Sequence, residues 1–189
     1  MSKTIENLKE ALHGESLAKF KYELYSDKAE QENLLEIANL FRAIAFAESI
    51  HIKNHLRALS VILGSEIILE DIISIDKKEV KSKISSTNKN LKDAINGEIY
   101  ETKKMYKNFE KYAKKENSDV AELSFSLARE AEGIHAELFS NYLSKLQDNE
   151  NFDSVNIYVC QICGNVELMT VPTTCPVCDH NDKFFKKVE

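Results

Sequence analysis

The sequence of 189 residues has few helix breakers and no cysteine outside one short segment. It contains five Gly and two Pro, and both prolines, Pro172 and Pro176, fall within the last 20 residues. Because proline is the strongest interruption of a helix, the first 150 residues are expected to be helical. All four cysteines lie within residues 160 to 178. In a reducing compartment this clustering favours a metal site over disulfide bonds.

An excess of positive charge and long apolar runs are also absent. The formal net charge is −6, and neither a basic stripe nor a cationic amphipathic face is visible. This argues against nucleic acid or an anionic membrane as a partner. The apolar runs are far shorter than the roughly 20 residues needed to cross a bilayer. Residues 1–14 contain no apolar signal segment, so we expect a cytoplasmic protein.

Apolar residues recurring at spacings of three and four predict four long helices. These helices span residues 4–30, 33–64, 88–116 and 118–146. Short polar turns join the first helix to the second and the third to the fourth, so each pair is expected to form an antiparallel hairpin. The longer segment 65–87 must then cross over, and its apolar first half should cover an end or edge of the bundle, or a partner subunit. A polar linker is expected at 147–156, which separates a bundle domain (1–146) from a small domain (157–189).

Acidic residues interrupt the apolar stripe of all four predicted helices. They are Glu15, Glu48, Glu98 with Glu101, and Glu132. Burying one isolated carboxylate costs several kcal/mol, so five of them in one core require compensating charge. A rotated helix would instead turn its glutamate to water, but all four helices would have to be rotated at once. The stripes therefore predict two cations at the centre of the bundle.

Two of these glutamates begin a Glu-x-x-His pattern, which places a carboxylate and an imidazole on one face of a helix. The two pairs are Glu48 with His51 and Glu132 with His135. Di-iron carboxylate bundles have a characteristic ligand pattern: two helices contribute one glutamate each, and the other two contribute a Glu-x-x-His pair each. Glu15 and Glu98 would be the single glutamates. Glu10 and His13 have the same spacing but lie on the opposite face of their helix, so we expect them to be solvated.

The two hairpins look like copies of one unit related by a pseudo-twofold axis. Gly14-Glu15 is followed by Glu48 after 33 residues, and Gly97-Glu98 by Glu132 after 34.

The two copies differ at a few positions. Glu101 has Ala18 as its counterpart, so it would give one metal ion a choice of ligands. Tyr22 and Tyr106 could hydrogen-bond to the ligating carboxylates or be ordinary core residues. His55 has no counterpart and is interpreted as a core or rim residue rather than a ligand or proton relay.

The four cysteines form two C-x-x-C knuckles separated by eleven residues, Cys160 with Cys163 and Cys175 with Cys178. Such knuckles bind one ion tetrahedrally, and both zinc and iron fit this ligand set. A segment this short cannot fold on buried surface alone, so the metal must contribute folding energy. We expect Tyr158, Phe184 and Phe185 to form its small aromatic core.

Taken together, these motifs make the whole chain resemble rubrerythrin, a ferritin-like di-iron four-helix bundle followed by a rubredoxin-like domain. The resemblance implies a mainly α fold and a non-haem peroxidase that reduces hydrogen peroxide to water. It also implies two irons in the bundle, a third (or zinc) in the four-cysteine site, and an external donor such as a rubredoxin or an NAD(P)H-dependent reductase. Homodimers or larger oligomers are expected, with electrons crossing between subunits.

The resemblance also implies roles for single residues. Glu48 and Glu132 match the bridging carboxylates, Glu15 and Glu98 the terminal ligands, and His135 the ligand of the second iron. The first iron would exchange Glu101 for His51 on reduction, and Tyr22 and Tyr106 match tyrosines that hydrogen-bond to the ligands. The chain departs from the family in having no Trp, with Tyr158 near the first cysteine, and in His55 at a commonly apolar position.

Two other functions remain open from the sequence. An iron-oxidising storage protein would use a similar bundle but gives no reason for an attached electron carrier. A structural protein would hold zinc in the four-cysteine site and no metal in the bundle.

Overall fold

The fold is a bundle of four long helices with a small three-stranded sheet at its C-terminal end. The computed structural model describes residues 2–188. The helices are α1 (Lys3–Gln31), α2 (Leu35–Leu63), α3 (Leu69–Ile72), α4 (Lys77–Ser82), α5 (Thr87–Tyr100), α6 (Tyr106–Lys115) and α7 (Asp119–Gln147). The strands are β1 (Ile157–Cys160), β2 (Val166–Leu168) and β3 (Phe185–Val188). None of the helices within residues 2–188 is long and apolar enough to span a membrane.

In each of the two helical hairpins, a turn of the same geometry joins the first helix to the second. Asn33 and Asn117 both adopt a left-handed backbone conformation, with φ of 59° and 55°. Asparagine tolerates this conformation better than most residues. In each turn the next residue closes a 2.9 Å hydrogen bond to a carbonyl five residues earlier, from Leu34 to Ala29 and from Ser118 to Ala113. The repeat seen in the sequence therefore extends to the backbone of the turns.

The third predicted helix is not continuous. A π-helical turn, Glu101–Met105, separates α5 from α6. A π turn inserts one residue into an α-helix, and such turns are frequent at functional sites. The inserted residue is visible in the repeat, because Glu98 follows Glu15 by 83 residues whereas Tyr106 follows Tyr22 by 84. The prediction of an unbroken helix over 88–116 was wrong at this point.

The apolar core is divided into two parts by a polar layer across the middle of the bundle. One part contains Tyr22, Phe41 and Phe139, and the other contains Leu12, Leu59, Tyr106 and Phe125. The segment between α2 and α5 runs from the second part to the first. Its apolar side chains Ile67, Leu69, Ile72 and Ile73 pack against the second part of the core, as expected for an edge of the bundle.

The C-terminal sheet is antiparallel, in the order β2-β1-β3. Its buried apolar residues are Ile157, Val159 and Val166, and they belong to the same core cluster as α2 and α7. The predicted aromatic core of this domain was therefore largely wrong. Tyr158 lies between the buried residues Ile157 and Val159 on β1, and because side chains alternate along a strand it is on the opposite face of the sheet. Phe184 is 38% exposed. Phe185 does pack against the cysteines, as expected.

Candidate metal centres

The polar layer of the bundle is built from six side chains that all lie at 0–1% exposure. They are Glu15 on α1, Glu48 and His51 on α2, Glu98 on α5, and Glu132 and His135 on α7. The spacing of three on α2 and on α7 turns each glutamate and its histidine to the same side of the helix. The structure therefore brings together six of the seven residues predicted as bundle ligands.

These six residues form two overlapping sets of possible metal ligands. Glu15, Glu48, His51 and Glu132 offer ligand atoms within 4.8 Å of one another, and so do Glu48, Glu98, Glu132 and His135. Glu48 and Glu132 belong to both sets. A carboxylate has two oxygens, so these two residues can each contact both metal positions. The geometry is that of two neighbouring cation positions sharing two carboxylates.

The hydrogen bonding of the cluster fits bound cations. Among residues 2–188, the Nδ1 atoms of His51 and His135 and both carboxylate oxygens of Glu48 and Glu132 have no hydrogen-bond partner. Yet His51 Nδ1 lies 2.9 Å from a Glu48 oxygen and 2.7 Å from a Glu132 oxygen. Donor atoms that converge without the angles of a hydrogen bond are oriented toward a common centre, as metal ligands are.

The electrostatics of the cluster point the same way. Burial, together with the neighbouring carboxylates, raises the pKa of Glu48 and of Glu98 well above the usual range. Burial alone would lower the pKa of His51, but Glu132 and Glu15 outweigh it and raise that pKa well above its usual value. The carboxylates thus attract positive charge to the space between them. Two divalent cations there would supply that charge and displace protons.

Glu101 lies beside the cluster but belongs to neither four-residue set. Its Oε1 would be 3.6 Å from a Cβ atom placed on Gly14, so the glycine leaves room for this carboxylate. Burial and the charge of Glu15 raise the pKa of Glu101 well above the usual range. His51 rather than Glu101 thus completes the first set in this structure.

The two predicted tyrosines contact the cluster across the pseudo-twofold axis. Tyr22 in the first hairpin donates its hydroxyl hydrogen bond to Glu98 at 2.5 Å, and Tyr106 in the second donates to Glu15. Both tyrosines are buried. They are therefore more than core filling, because each orients one carboxylate through its hydroxyl group.

The four cysteine sulfurs have the spacing of a tetrahedral metal site. Cys160 Sγ lies 3.7 Å from Cys178 Sγ, and Cys163 Sγ lies 3.6 Å from Cys175 Sγ. Sulfurs on a tetrahedron with metal–sulfur bonds of about 2.3 Å lie about 3.8 Å apart. Burial raises the pKa of the Cys178 thiol to about 12, and a bound cation would lower it again by compensating the charge of the thiolate. Gly164 and Asp179 adopt a positive φ at the end of the two knuckles.

The first knuckle lies directly on the bundle cluster. Three consecutive carbonyls of this knuckle accept hydrogen bonds from the bundle. The carbonyl of Ile162 lies 2.8 Å from Asn54 Nδ2. The next two, of Cys163 and Gly164, lie 3.0 Å from His51 Nε2 and 3.1 Å from His135 Nε2. A carbonyl only accepts, so each imidazole carries a proton on Nε2 and turns Nδ1 to the cluster. The knuckle thereby sets the tautomer needed for metal binding.

Two residues of this contact, Asn54 and Gly164, were not predicted as site residues. Asn54 follows His51 by three residues, so its position on the same helix face was visible in the sequence. Its partner was not, because the contact joins residues 108 apart in the chain. At Gly164 a Cβ atom would lie 2.4 Å from His51 Nε2, so only glycine permits the close approach. The motif-like pair Glu10 and His13 is exposed, as expected.

A helical bundle with two metal-ligand sets that share carboxylates, joined to a four-cysteine domain, is a ferritin-like fold with a rubredoxin-like domain. The chain belongs to the rubrerythrin family, since the family model described as Rubrerythrin matches residues 6–143. Members of this family are oxidoreductases, generally di-iron proteins of oxidative-stress defence, that use electron donors and form oligomers.

Individual relatives match over nearly the whole length of the chain. Rubrerythrin-2 of Clostridium acetobutylicum is 35% identical over 184 residues, covering 96% of this chain and 95% of the relative. A mixed-valence state of nigerythrin superimposes with a TM-score of 0.86 at 30% identity, covering 97% of this chain and 86% of that one. A fully reduced, all-ferrous state of nigerythrin gives a TM-score of 0.84 at 30% identity with the same coverage.

Proposed function

We propose that this chain is a peroxidase that reduces hydrogen peroxide to water, with iron at both metal centres. The reaction consumes two electrons and two protons for each peroxide and yields two waters. The observation that carries the proposal is the contact between the four-cysteine knuckle and both histidines of the bundle cluster. An electron carrier placed directly against a two-metal site is expected in an enzyme that must be re-reduced after each turnover.

The residues of the cluster divide into roles under this proposal. Glu48 and Glu132 would bridge the two irons, with Glu15 and His51 completing one position and Glu98 and His135 the other. Glu101 is the alternative ligand that would replace His51 when the oxidation state changes. When bound, two ferrous ions would together supply the two electrons that cleave the O–O bond of peroxide, and the four-thiolate iron would replace these electrons from the donor.

The side chains around the cluster have tasks of their own. Tyr22 and Tyr106 hold the terminal carboxylates in place through their hydroxyl groups. The two apolar core parts above and below the polar layer exclude water from it. Burial and the charge of Glu15 raise the pKa of Glu101. A Glu101 carboxyl group that is not bound to metal therefore favours its protonated form, and it would lie close enough to the cluster to supply that proton to a departing oxygen atom.

Iron is preferred over zinc at the metal centres because of the similarity to nigerythrin. Nigerythrin is described in mixed-valence and all-ferrous states, so its metals are iron and change oxidation state. Zinc has no redox chemistry and would make the knuckle contact useless for electron transfer. We further propose that the chain works as a homodimer or larger oligomer and takes electrons from a rubredoxin or an NAD(P)H-dependent reductase.

The path of electrons proposed here lies within one chain. The resemblance to the family implied transfer between subunits, whereas the described chain places its own knuckle against its own histidines. Each subunit of an oligomer would then be complete for electron transfer.

The test compares Glu132→Ala with Glu10→Ala, which removes a glutamate of the same Glu-x-x-His spacing at the surface. Peroxide consumption with a reduced donor and iron per chain are measured on both full-length variants. Glu132→Ala is expected to lose turnover by more than about 100-fold, since outer partners of metal ligands alone are typically worth 10–100-fold. Glu10→Ala should stay within about twofold of the unaltered chain. The proposed peroxidase activity would be refuted by a colourless, zinc-containing protein or by full turnover in the Glu132→Ala variant.

A further inference from the structure

A third buried histidine, His55, lies one helical turn beyond His51 at 0% exposure. Its Nδ1 is 2.8 Å from Ser124 Oγ, and its Nε2 is 3.0 Å from the hydroxyl oxygen of Tyr106. The Tyr106 hydroxyl in turn contacts Glu15 Oε1. A continuous line of polar groups therefore runs from α7 through His55 to one terminal carboxylate of the metal cluster.

The chemistry of these groups fixes the direction of every hydrogen bond in the line. A carboxylate only accepts, so the Tyr106 hydroxyl proton is committed to Glu15. The phenol oxygen of Tyr106 is then an acceptor, and it takes its hydrogen bond from Nε2–H of His55. With its one proton on Nε2, a neutral His55 accepts at Nδ1 from the Ser124 hydroxyl. All three protons point toward Glu15.

The opposite half of the bundle has no such line. The repeat of 84 residues places Phe139 at the position equivalent to His55, and Leu40 at the position equivalent to Ser124. Tyr22 packs edge-on against Phe139 with ring centroids 5.3 Å apart. Its hydroxyl donates to Glu98 and accepts from no other group in the part of the chain that the structure describes.

We propose that His55 is a positioning residue for the Glu15 half of the metal cluster. By donating to the Tyr106 oxygen it fixes the hydroxyl proton on Glu15, and donation into a hydroxyl strengthens the bond that the hydroxyl makes. The Glu98 half depends on a lone tyrosine. The two metal positions are therefore inequivalent, and only one of them depends on His55.

The proposal rests on the metal cluster of the proposed function but not on its reaction with peroxide. The test measures cobalt(II) binding to the full-length chain after the four-cysteine site has been filled with zinc. Binding is monitored through the visible absorption bands of cobalt in the bundle. The informative variants are His55→Phe, which copies the opposite half, and His55→Gln, whose amide nitrogen can still donate to Tyr106.

His55→Phe is expected to weaken one of the two cobalt-binding steps by about 10-fold and to leave the other within about twofold. His55→Gln should recover most of the lost affinity. Equal weakening of both steps would mean that His55 only supports folding, and unchanged binding would mean that it does not act on Glu15. Either result overturns the proposal.

A second measurement does not depend on how well the variants fold. Nitrogen-15 NMR of the histidine rings in the zinc-loaded, otherwise unaltered chain reports which nitrogen of His55 carries the proton. Protonation at Nε2 alone is expected, and protonation at Nδ1 contradicts the proposed line. Neither readout involves peroxide, so a protein that fails as a peroxidase can still satisfy this proposal, and the reverse.

Discussion

At the scale of single residues, the metal cluster depends on hydrogen bonds made on the far side of each imidazole. The carbonyls of Cys163 and Gly164 accept from Nε2 of His51 and His135, so each ring holds a proton on Nε2 and turns its Nδ1 to the cluster. The four-cysteine domain is thus part of the bundle site as well as its expected source of electrons.

Gly164 tests this contact, because a side chain there meets His51 Nε2 at 2.4 Å. Gly164→Ala is compared with Gly64→Ala, a position with similar positive φ and no atom within 4 Å of an added Cβ. Both substitutions carry the cost of a left-handed alanine, about 1–2 kcal/mol. Gly164→Ala should cost a further ~1–3 kcal/mol for overpacking and should reduce metal binding by the bundle.

The measurement is urea unfolding of the two full-length variants together with metal content. Equal loss of stability in both variants, with full metal content in Gly164→Ala, would show that the close approach of the knuckle to His51 is unimportant.

The residues that form the buried cluster were predictable from the sequence for a physical reason. A glutamate in an apolar stripe is a local signal, and Glu15, Glu48, Glu98 and Glu132 each carry it. His55 carries no such signal, because a histidine on an apolar face is compatible with many environments. Its partners Ser124 and Tyr106 lie 69 and 51 residues away, so only the folded chain identifies them.

At the scale of elements, the π turn Glu101–Met105 accounts for the difference in length between the two hairpins. It absorbs the one residue by which the second copy is longer, so Tyr106 reaches Glu15 as Tyr22 reaches Glu98. The sequence contained this offset as a spacing of seven residues in one copy and eight in the other. A spacing alone does not say whether the extra residue makes a π turn, a kink or a rotated helix, and so a continuous helix was predicted.

Single-residue deletions separate these possibilities. Deleting Lys103, within the π turn, should convert the turn to an α-helix and keep Tyr106 on Glu15. Deleting Lys19, between Glu15 and Tyr22 in an uninterrupted helix, should rotate one flank by about 100° relative to the other. Thermal unfolding and metal content of the two variants measure the difference.

The Lys103 deletion is expected to fold and bind metal, whereas the Lys19 deletion is expected to lose the bundle metals. If the Lys103 deletion is as damaging as the Lys19 deletion, the π turn is not a removable insertion.

The C-terminal domain shows a similar limit of local patterns, because its apolar residues were assigned to a core of its own. Ile157, Val159 and Val166 instead join the bundle core. A local pattern cannot reveal which surface a strand will bury.

At the scale of the whole molecule, the two candidate metal sites lie in direct contact with each other. Two consecutive carbonyls of the cysteine knuckle contact the two imidazoles of the carboxylate layer, and the carbonyl before them accepts from Asn54. The expected division into a bundle domain, a linker at 147–156 and a small C-terminal domain stays a prediction.

The most direct test of the central claim, that the two centres work together in reducing peroxide, is a single-turnover experiment. The iron-loaded full-length chain is reduced without oxygen until its iron–thiolate colour is bleached, then mixed rapidly with hydrogen peroxide. We predict that the colour returns within one turnover, and faster than with an equal concentration of dioxygen. If the colour stays bleached with peroxide, or returns equally fast in Glu132→Ala, then the four-cysteine site does not pass electrons to peroxide through the bundle cluster.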